Sequence, residues 1–344
     1  MSMISVLMTA YNCEKYIAQA IDSILQQTFT DFEFIILNDG STDRTLDIIQ
    51  SYKDNKIKLI NDGKLGYYAA KKRLINEAKG EYIAIMDGDD ICDKERLEIE
   101  YNFLKTNADF GLVGTNANWI NSEGEQFGKG FNFDFSPEEL KCRLLFLNCF
   151  VHTSVLMRKS VLDKHQLNYK EIAGEDFDLW IQIAKHAKIK NIAKPMIQYR
   201  IHSNNMVHSN WYKLNDGLKQ IIFEQLDFYF PNQFTSEGKE AYFGLVNFER
   251  KNDISSLENI IKVISQMLQS NSETKHFDDF LLRKIIQERW FKKIVRLQTY
   301  SSEVLILHKK MKNVLNISKT PTQYVFEFIL RVNVLFKKQV IKLN

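Results

Sequence analysis

The stretch of the chain that bears most on chemistry reads Gly80-Glu81-Tyr82-Ile83-Ala84-Ile85-Met86-Asp87-Gly88-Asp89-Asp90. An apolar run with strand character ends in three carboxylates grouped around one glycine. Acids this close repel one another and raise each other's pKa unless a positive charge sits among them. A hard divalent cation is the matching partner, and Mg²⁺ or Mn²⁺ on one or two carboxylates commonly also carries substrate phosphates. The residues therefore point to a metal–phosphate centre. Asp-Gly and Asp-Asp are also ordinary turn pairs, so this motif alone leaves a plain turn open.

The surrounding pattern says what positions those acids. Ile4 to Met8 is an apolar run with a polar exit, Thr9-Ala10-Tyr11-Asn12. From Glu14 to Gln26, apolar residues at Ile17, Ala20, Ile21, Ile24 and Leu25 recur at helical spacing. Phe32 to Leu37 is a second buried strand, followed by Asn38-Asp39-Gly40-Ser41-Thr42-Asp43, in which Ser41 or Thr42 suits the cap of the next helix. Lys56 to Ile60 predicts a third strand and Tyr68 to Ala78 a helix, before the strand that delivers Asp87. A further helix begins near Lys94, with Asp90 either supporting the centre or capping that helix. Alternation of this kind predicts an α/β domain with a mostly parallel sheet, whose ligands bind at the carboxyl ends of the strands. Thr9-Ala10-Tyr11, Asp39 and Asp87-Gly88-Asp89 are expected on that one rim. Neither G-x-G-x-x-G nor G-x-x-x-x-G-K-[ST] follows the first strand, so a bound diphosphate would depend on the cation.

Ile4 to Asn12, Asn38 to Asp43, Gly80-Glu81-Tyr82 leading into Asp87-Gly88-Asp89-Asp90, and Gly174-Glu175-Asp176-Phe177-Asp178-Leu179-Trp180 occur in a characteristic order. Over roughly residues 3–205 the chain resembles the family 2 glycosyltransferases of bacteria, which have the GT-A fold. Each motif is weak alone, and the ordered set is specific. The resemblance implies an inverting, metal-dependent hexosyl- or N-acetylhexosaminyltransferase. Such an enzyme would move a sugar from a UDP-sugar to a hydroxyl of a glycan acceptor, in cell-surface polysaccharide or lipopolysaccharide synthesis, with the acceptor carried on a membrane lipid.

The same resemblance assigns roles. Thr9 and Tyr11 would line the base pocket, with Tyr11 stacking on the base, and Asp39 would accept a hydrogen bond from the uracil imide. Asp87 and Asp89 would hold Mn²⁺ or Mg²⁺, with His202 approaching the metal or diphosphate and Arg200 meeting phosphate. Lys71 stands where family members carry an arginine. It would neutralise phosphate without the bidentate fork, and the residues leave open which of Lys71, Lys72 and Arg73 faces the nucleotide. Asp176 would be the general base that takes the acceptor's proton, although an acid at a helix N-terminus also needs no catalytic explanation. His152-Thr153-Ser154 falls where family members contact the acceptor.

Composition sets the frame. The 344 residues are 44% hydrophobic and 26% charged, and the four cysteines show no paired spacing, which fits a reducing, cytoplasmic setting. No long uncharged apolar stretch suggests a membrane span. The net charge of +3 hides an asymmetry: residues 281–344 hold 14 Lys/Arg and 3 Asp/Glu. Residues 1–210 are expected to form the catalytic domain and residues 211–344 a mostly helical region. In the last segment Glu327, Arg331, Lys338 and Lys342 make one stripe beside a wide apolar face. Such a helix packs on a core, pairs between subunits as in a homo-oligomer, or lies on the inner face of a membrane. No nucleic-acid-binding signature accompanies the basic segment. Two other readings remain: a nucleotidyltransferase or pyrophosphorylase, and a non-catalytic scaffold that keeps the fold.

Overall fold

The computed structural model describes residues 2–203, 211–247, 254–296 and 301–317. Strands β1 (Ile4–Ala10), β2 (Phe32–Asn38), β3 (Ile57–Ile60) and β4 (Tyr82–Asp87) alternate with helices α1 (Ile17–Leu25), α2 (Thr45–Ser51) and α3 (Tyr67–Glu77). They pair in parallel in the order β3-β2-β1-β4. The near-continuous apolar runs of β1, β2 and β4 are buried on both faces, as crossover helices require, whereas β3 at the sheet edge exposes Lys58.

Beyond β4 the sheet becomes mixed. It adds β5 (Ile91–Cys92), β6 (Phe110–Ile120), β7 (Gln126–Lys129), β8 (Val155–Arg158) and β9 (Lys188–Arg200). The order continues β4-β8-β6-β9-β5, with β7 on β6. β8 runs antiparallel to β4 and β6, whereas β6 and β9 are parallel. The β6–β7 link is a short hairpin, and a hairpin joins only antiparallel strands. Helices α4 (Arg96–Thr106), α5 (Pro137–Arg143), α6 (Lys159–His165) and α7 (Glu175–Ala184) complete this part. Arg96 is fully buried, pairs with Glu100 and donates to the carbonyls of Ile85 and Val155, so α4 is bolted to the strand that ends at Asp87.

The chain divides into two compact units. The first comprises Met1–Leu140 and Asn148–Leu218, and the second gathers Lys141–Leu147 with the chain from Lys219 onward. Helices α8 (Trp211–Tyr229), α9 (Ser236–Val246), α10 (Ile254–Thr274), α11 (Asp279–Arg296) and α12 (Ser302–Leu315) follow in sequence. In the second unit, Tyr242 and Trp290 are buried and satisfied, the former by the Leu145 carbonyl and the latter by His308. No helix among the described residues is long and apolar enough to cross a membrane. The amphipathic stripe of Glu327, Arg331, Lys338 and Lys342 lies outside the described residues.

Candidate active site

Register brings the polar clusters together. Thr9 lies opposite Leu37 on β2 and Asp87 on β4, and Ala10 opposite Asn38, so the parallel strands end at one level. The Asp39 amide donates to the Ala10 carbonyl at 2.9 Å. Asn12, with φ 48°, ties the loop after β1 to the loop after β2: its amide donates to Ser41 Oγ and its Oδ1 accepts from the Thr42 amide. Ser41 and Thr42 are thereby occupied. Asp43, rather than either of them, serves the start of α2, accepting from the Thr45 and Glu14 amides. Asp39 accepts from the amides of Leu65 and Gly66 at 2.6 and 2.9 Å through Oδ1, while its Oδ2 takes no protein hydrogen bond among the described residues. Tyr11 is 50% exposed, with Lys64 Nζ 4.7 Å from its ring centroid.

Each acid of the Asp87-Gly88-Asp89-Asp90 run has a separate partner. Asp87 Oδ2 lies 3.1 Å from His152 Nδ1, and the other nitrogen of that ring lies 3.1 Å from the Tyr169 hydroxyl. Asp89 Oδ2 lies 3.0 Å from His202 Nε2. Asp90 is buried and accepts from Thr153 Oγ1 and the Arg200 amide, so it supports the centre and does not cap α4. Burial alone would raise the Asp87 carboxyl. The charge and hydrogen bond of His152, with Lys71 beyond, reverse that and hold it below the ordinary value.

Gly88 is tightly enclosed, since a Cβ there would press on the side-chain ends Cys13 Sγ at 3.0 Å and Ile17 Cδ1 at 3.2 Å. Gly88→Ala is therefore expected to push the β4 exit away from α1. Stability should fall by about 1–3 kcal/mol, as overpacking does, with weaker metal-dependent nucleotide binding. Thermal unfolding and UDP titration with Mn²⁺ check it, and unchanged values for both would show that the loop has slack.

Asp176 stands in the first turn of α7 beside Glu175. Its Oδ1 accepts from the Phe177 amide at 2.7 Å and its Oδ2 from Asn148 Nδ2 at 2.9 Å. Glu175 is buried and accepts from Lys71 Nζ at 2.6 Å and from the Tyr67 hydroxyl at 2.8 Å. Burial would raise Glu175, but Lys71 overrides it and keeps the carboxyl low. Asp176 goes the other way: burial first, then the charge of Glu175, raise it above the ordinary aspartate value, against His152 and Lys71. Two adjacent carboxyls are thus pushed in opposite directions, Glu175 down and Asp176 up.

As a general base Asp176 would act only when deprotonated, so activity is expected to be lost as pH falls through its pKa, which lies above the ordinary aspartate value. Glu175→Gln removes the negative charge that raises it, and the acid limb of kcat/KM should move to lower pH. A pH–rate profile of the two proteins decides it; an unmoved limb would disconnect Asp176 from that limb.

The structure brings Thr9, Asp39, Asp87, Asp89, Asp176 and His202 to the carboxyl-end region of the sheet. Two expectations change. The Lys71 side chain is 4% exposed and its ammonium is engaged by Glu175 and Tyr67, so the expected phosphate contact is replaced by an internal ion pair, while Lys72 and Arg73 face solvent. The Arg200 guanidinium is also buried: it donates to the carbonyls of Asp89, Asn121 and Ser122 and to Gln19, and it braces the turn where it was expected to meet phosphate. The sequence reading missed His152 as the partner of Asp87 and had no role for Tyr169 or Asn148.

The donor set fits a hard divalent cation. Two carboxylates and an imidazole come from Asp87, Asp89 and His202, on a rim with no glycine-rich phosphate loop. Among the described residues no three His, Cys, Asp or Glu side chains already converge as a cage. Mg²⁺ sites that use one or two carboxylates and complete the sphere with substrate phosphates have this character.

The mixed sheet flanked by helices is a GT-A fold, and comparison with known proteins identifies the family. Residues 5–166 match the model of glycosyl transferase family 2. The O-antigen biosynthesis glycosyltransferase WbnJ of Escherichia coli is 33% identical over 215 residues, 60% of this chain and 82% of that protein. The solved fragment 1–349 of TarS from S. aureus, in complex with UDP-GlcNAc, matches with a TM-score of 0.57 at 18% identity, covering 91% of this chain and 92% of that one. A mannosyltransferase of Pyrobaculum calidifontis, PcManGT, in complex with GDP-Man and Mn²⁺, matches with a TM-score of 0.54 at 13% identity, covering 86% and 87%. The chain belongs to glycosyl transferase family 2 and is a glycosyltransferase.

Proposed function

We propose that this enzyme is an inverting transferase that moves a sugar from a UDP-sugar to a hydroxyl of a glycan acceptor. The observation that carries the reading is the carboxyl pair that opens α7, with Glu175 tied to Lys71 and Tyr67 and Asp176 held by Asn148 and the Phe177 amide. Thr9 and Tyr11 would bind the base, and Asp39 would use Oδ2 to accept the uracil imide N–H. Asp87, Asp89 and His202 would hold Mn²⁺ or Mg²⁺, which when bound stabilises charge on the departing diphosphate. Asp176 takes the acceptor's hydroxyl proton as that oxygen bonds to the anomeric carbon and the bond to diphosphate breaks on the opposite face. Lys71 and Tyr67 keep Glu175 ionised, and Asn148 orients Asp176.

The complexes of the two solved relatives, one with UDP-GlcNAc and one with GDP-Man and Mn²⁺, support a nucleotide-sugar donor and a cation. The O-antigen enzyme supports a role in cell-surface polysaccharide synthesis. An acceptor on a membrane lipid, with peripheral contact through the basic C-terminal segment, belongs to the same reading. The test is a panel of UDP- and GDP-sugars with Mn²⁺, Mg²⁺ or chelator, followed by release of nucleoside diphosphate. Metal-dependent release of UDP is expected; pyrophosphate as product would mean nucleotidyl transfer instead, and no turnover of any donor would favour a scaffold.

A further inference from the structure

A row of aromatic rings begins beside the carboxylates and runs outward along β7 and the segment after it. Tyr199 is 6.4 Å from Phe131, centroid to centroid. From Phe131 one arm continues to Phe133 at 5.9 Å and Phe135 at a further 5.8 Å, and the other to Trp119 at 6.3 Å and Phe127 at a further 6.2 Å. Phe127 is 56% exposed and Phe131 38%, although both are large and apolar. Exposed apolar surface that gathers into a patch marks a binding surface more often than scattered single residues do.

The row is held rigidly. Residues 131–135 form no strand, yet their backbone is pinned at every second residue. The Ala117 amide donates to the Phe131 carbonyl, the Phe133 amide to Asn116 Oδ1, Asn191 Nδ2 to the Phe133 carbonyl, and Lys190 Nζ to the Phe135 carbonyl. Asn116 and Asn191 are buried, and burying amides costs free energy unless they are hydrogen-bonded. Gly130 allows the approach, since a Cβ there would lie 2.3 Å from the Ala117 carbonyl oxygen. Two buried amides thus fix the spacing of three alternate phenylalanines, more than sealing a hairpin requires.

The inner end of the row reaches the reaction centre. Arg200, next to Tyr199, is the residue that braces Asp89 and Asp90. After burial, the charges that most raise the Tyr199 hydroxyl are those of Asp90, Asp87, Asp89 and Asp176. Anything lying on the row therefore approaches the turn that carries Asp89 and Asp90.

We propose that this row is the acceptor subsite, on which successive pyranose units of a carbohydrate chain stack as its reacting end reaches Asp176. The inference rests on the transferase reading above. The C–H face of a pyranose suits the negative face of an aromatic ring, and the ring spacing is comparable to one sugar unit. A membrane is a poorer occupant: the exposed large apolar side chains here are aromatic, and Glu123, Glu125 and Asp134 beside them repel anionic headgroups.

The test uses the full chain and soluble oligosaccharides of increasing length, in neutral and uronic-acid series, titrated by calorimetry. Affinity should rise with chain length, and the double variant Phe127→Ala/Phe131→Ala should lose about tenfold or more. Its melting temperature and its metal-dependent hydrolysis of UDP-sugar to water should stay unchanged, and Phe127→Tyr/Phe131→Tyr should keep the binding. Equal oligosaccharide affinity in the alanine variant overturns the subsite. So does a wild-type protein that hydrolyses UDP-sugar but binds no oligosaccharide, or that holds zwitterionic vesicles through these two residues instead. Length-dependent binding that the alanines abolish, in a protein that hydrolyses no UDP-sugar, would uphold the subsite and sink the donor assignment alone.

Discussion

Asp176→Asn should bind UDP with metal as well as the wild type does and turn over about 10²–10⁴ times more slowly, the usual cost of a lost general base. The change keeps the side chain's size. The amide oxygen can still accept from the Phe177 amide, so the first turn of α7 should hold. What is lost is the capacity to accept a proton. Steady-state kinetics beside calorimetry of UDP separates the two effects. Near-normal turnover would leave Asp176 as an acid placed only to suit the helix N-terminus.

Asp89→Ala should abolish transfer and remove most of the metal-dependent part of UDP affinity. Losing one of two carboxylates from a site that borrows its remaining ligands from the diphosphate should cost more than the about 10–100-fold typical of losing an outer partner. It also strips His202 of the carboxylate at 3.0 Å. Asp89 is not the residue that braces the turn, a task that falls to the buried Asp90 through Thr153 and the Arg200 amide. The variant should therefore fold. Calorimetry of UDP with Mn²⁺ and with chelator checks it, and equal, metal-independent affinity in both proteins would defeat the metal assignment.

The parallel half of the sheet was legible because local rules govern it. Ile4–Ala10, Phe32–Asn38 and Tyr82–Asp87 are apolar runs bounded by turn residues, and helices at 3.6-residue spacing lie between them. Once such strands pair in parallel, their carboxyl ends share a rim, so Thr9, Asp39 and Asp87 had to meet. The mixed half was less legible. The place of β8 between β4 and β6 depends on pairing across long stretches of sequence, where periodicity is silent.

What the sequence by itself determined is the class of chemistry. Ordered motifs specify which side chains end which strands, and strand ends are where an open α/β sheet binds ligands. What only the tertiary structure decided is the state of each group. Lys71 reads as a phosphate ligand until burial against Glu175 shows its charge already used, and Arg200 likewise until its guanidinium is found on main-chain carbonyls. His152 gains meaning only when Asp87, 65 residues away in the chain, lies 3.1 Å from its ring. Burial and the charges around a group set its protonation and its free valences, and both depend on neighbours distant in sequence, which no local pattern encodes.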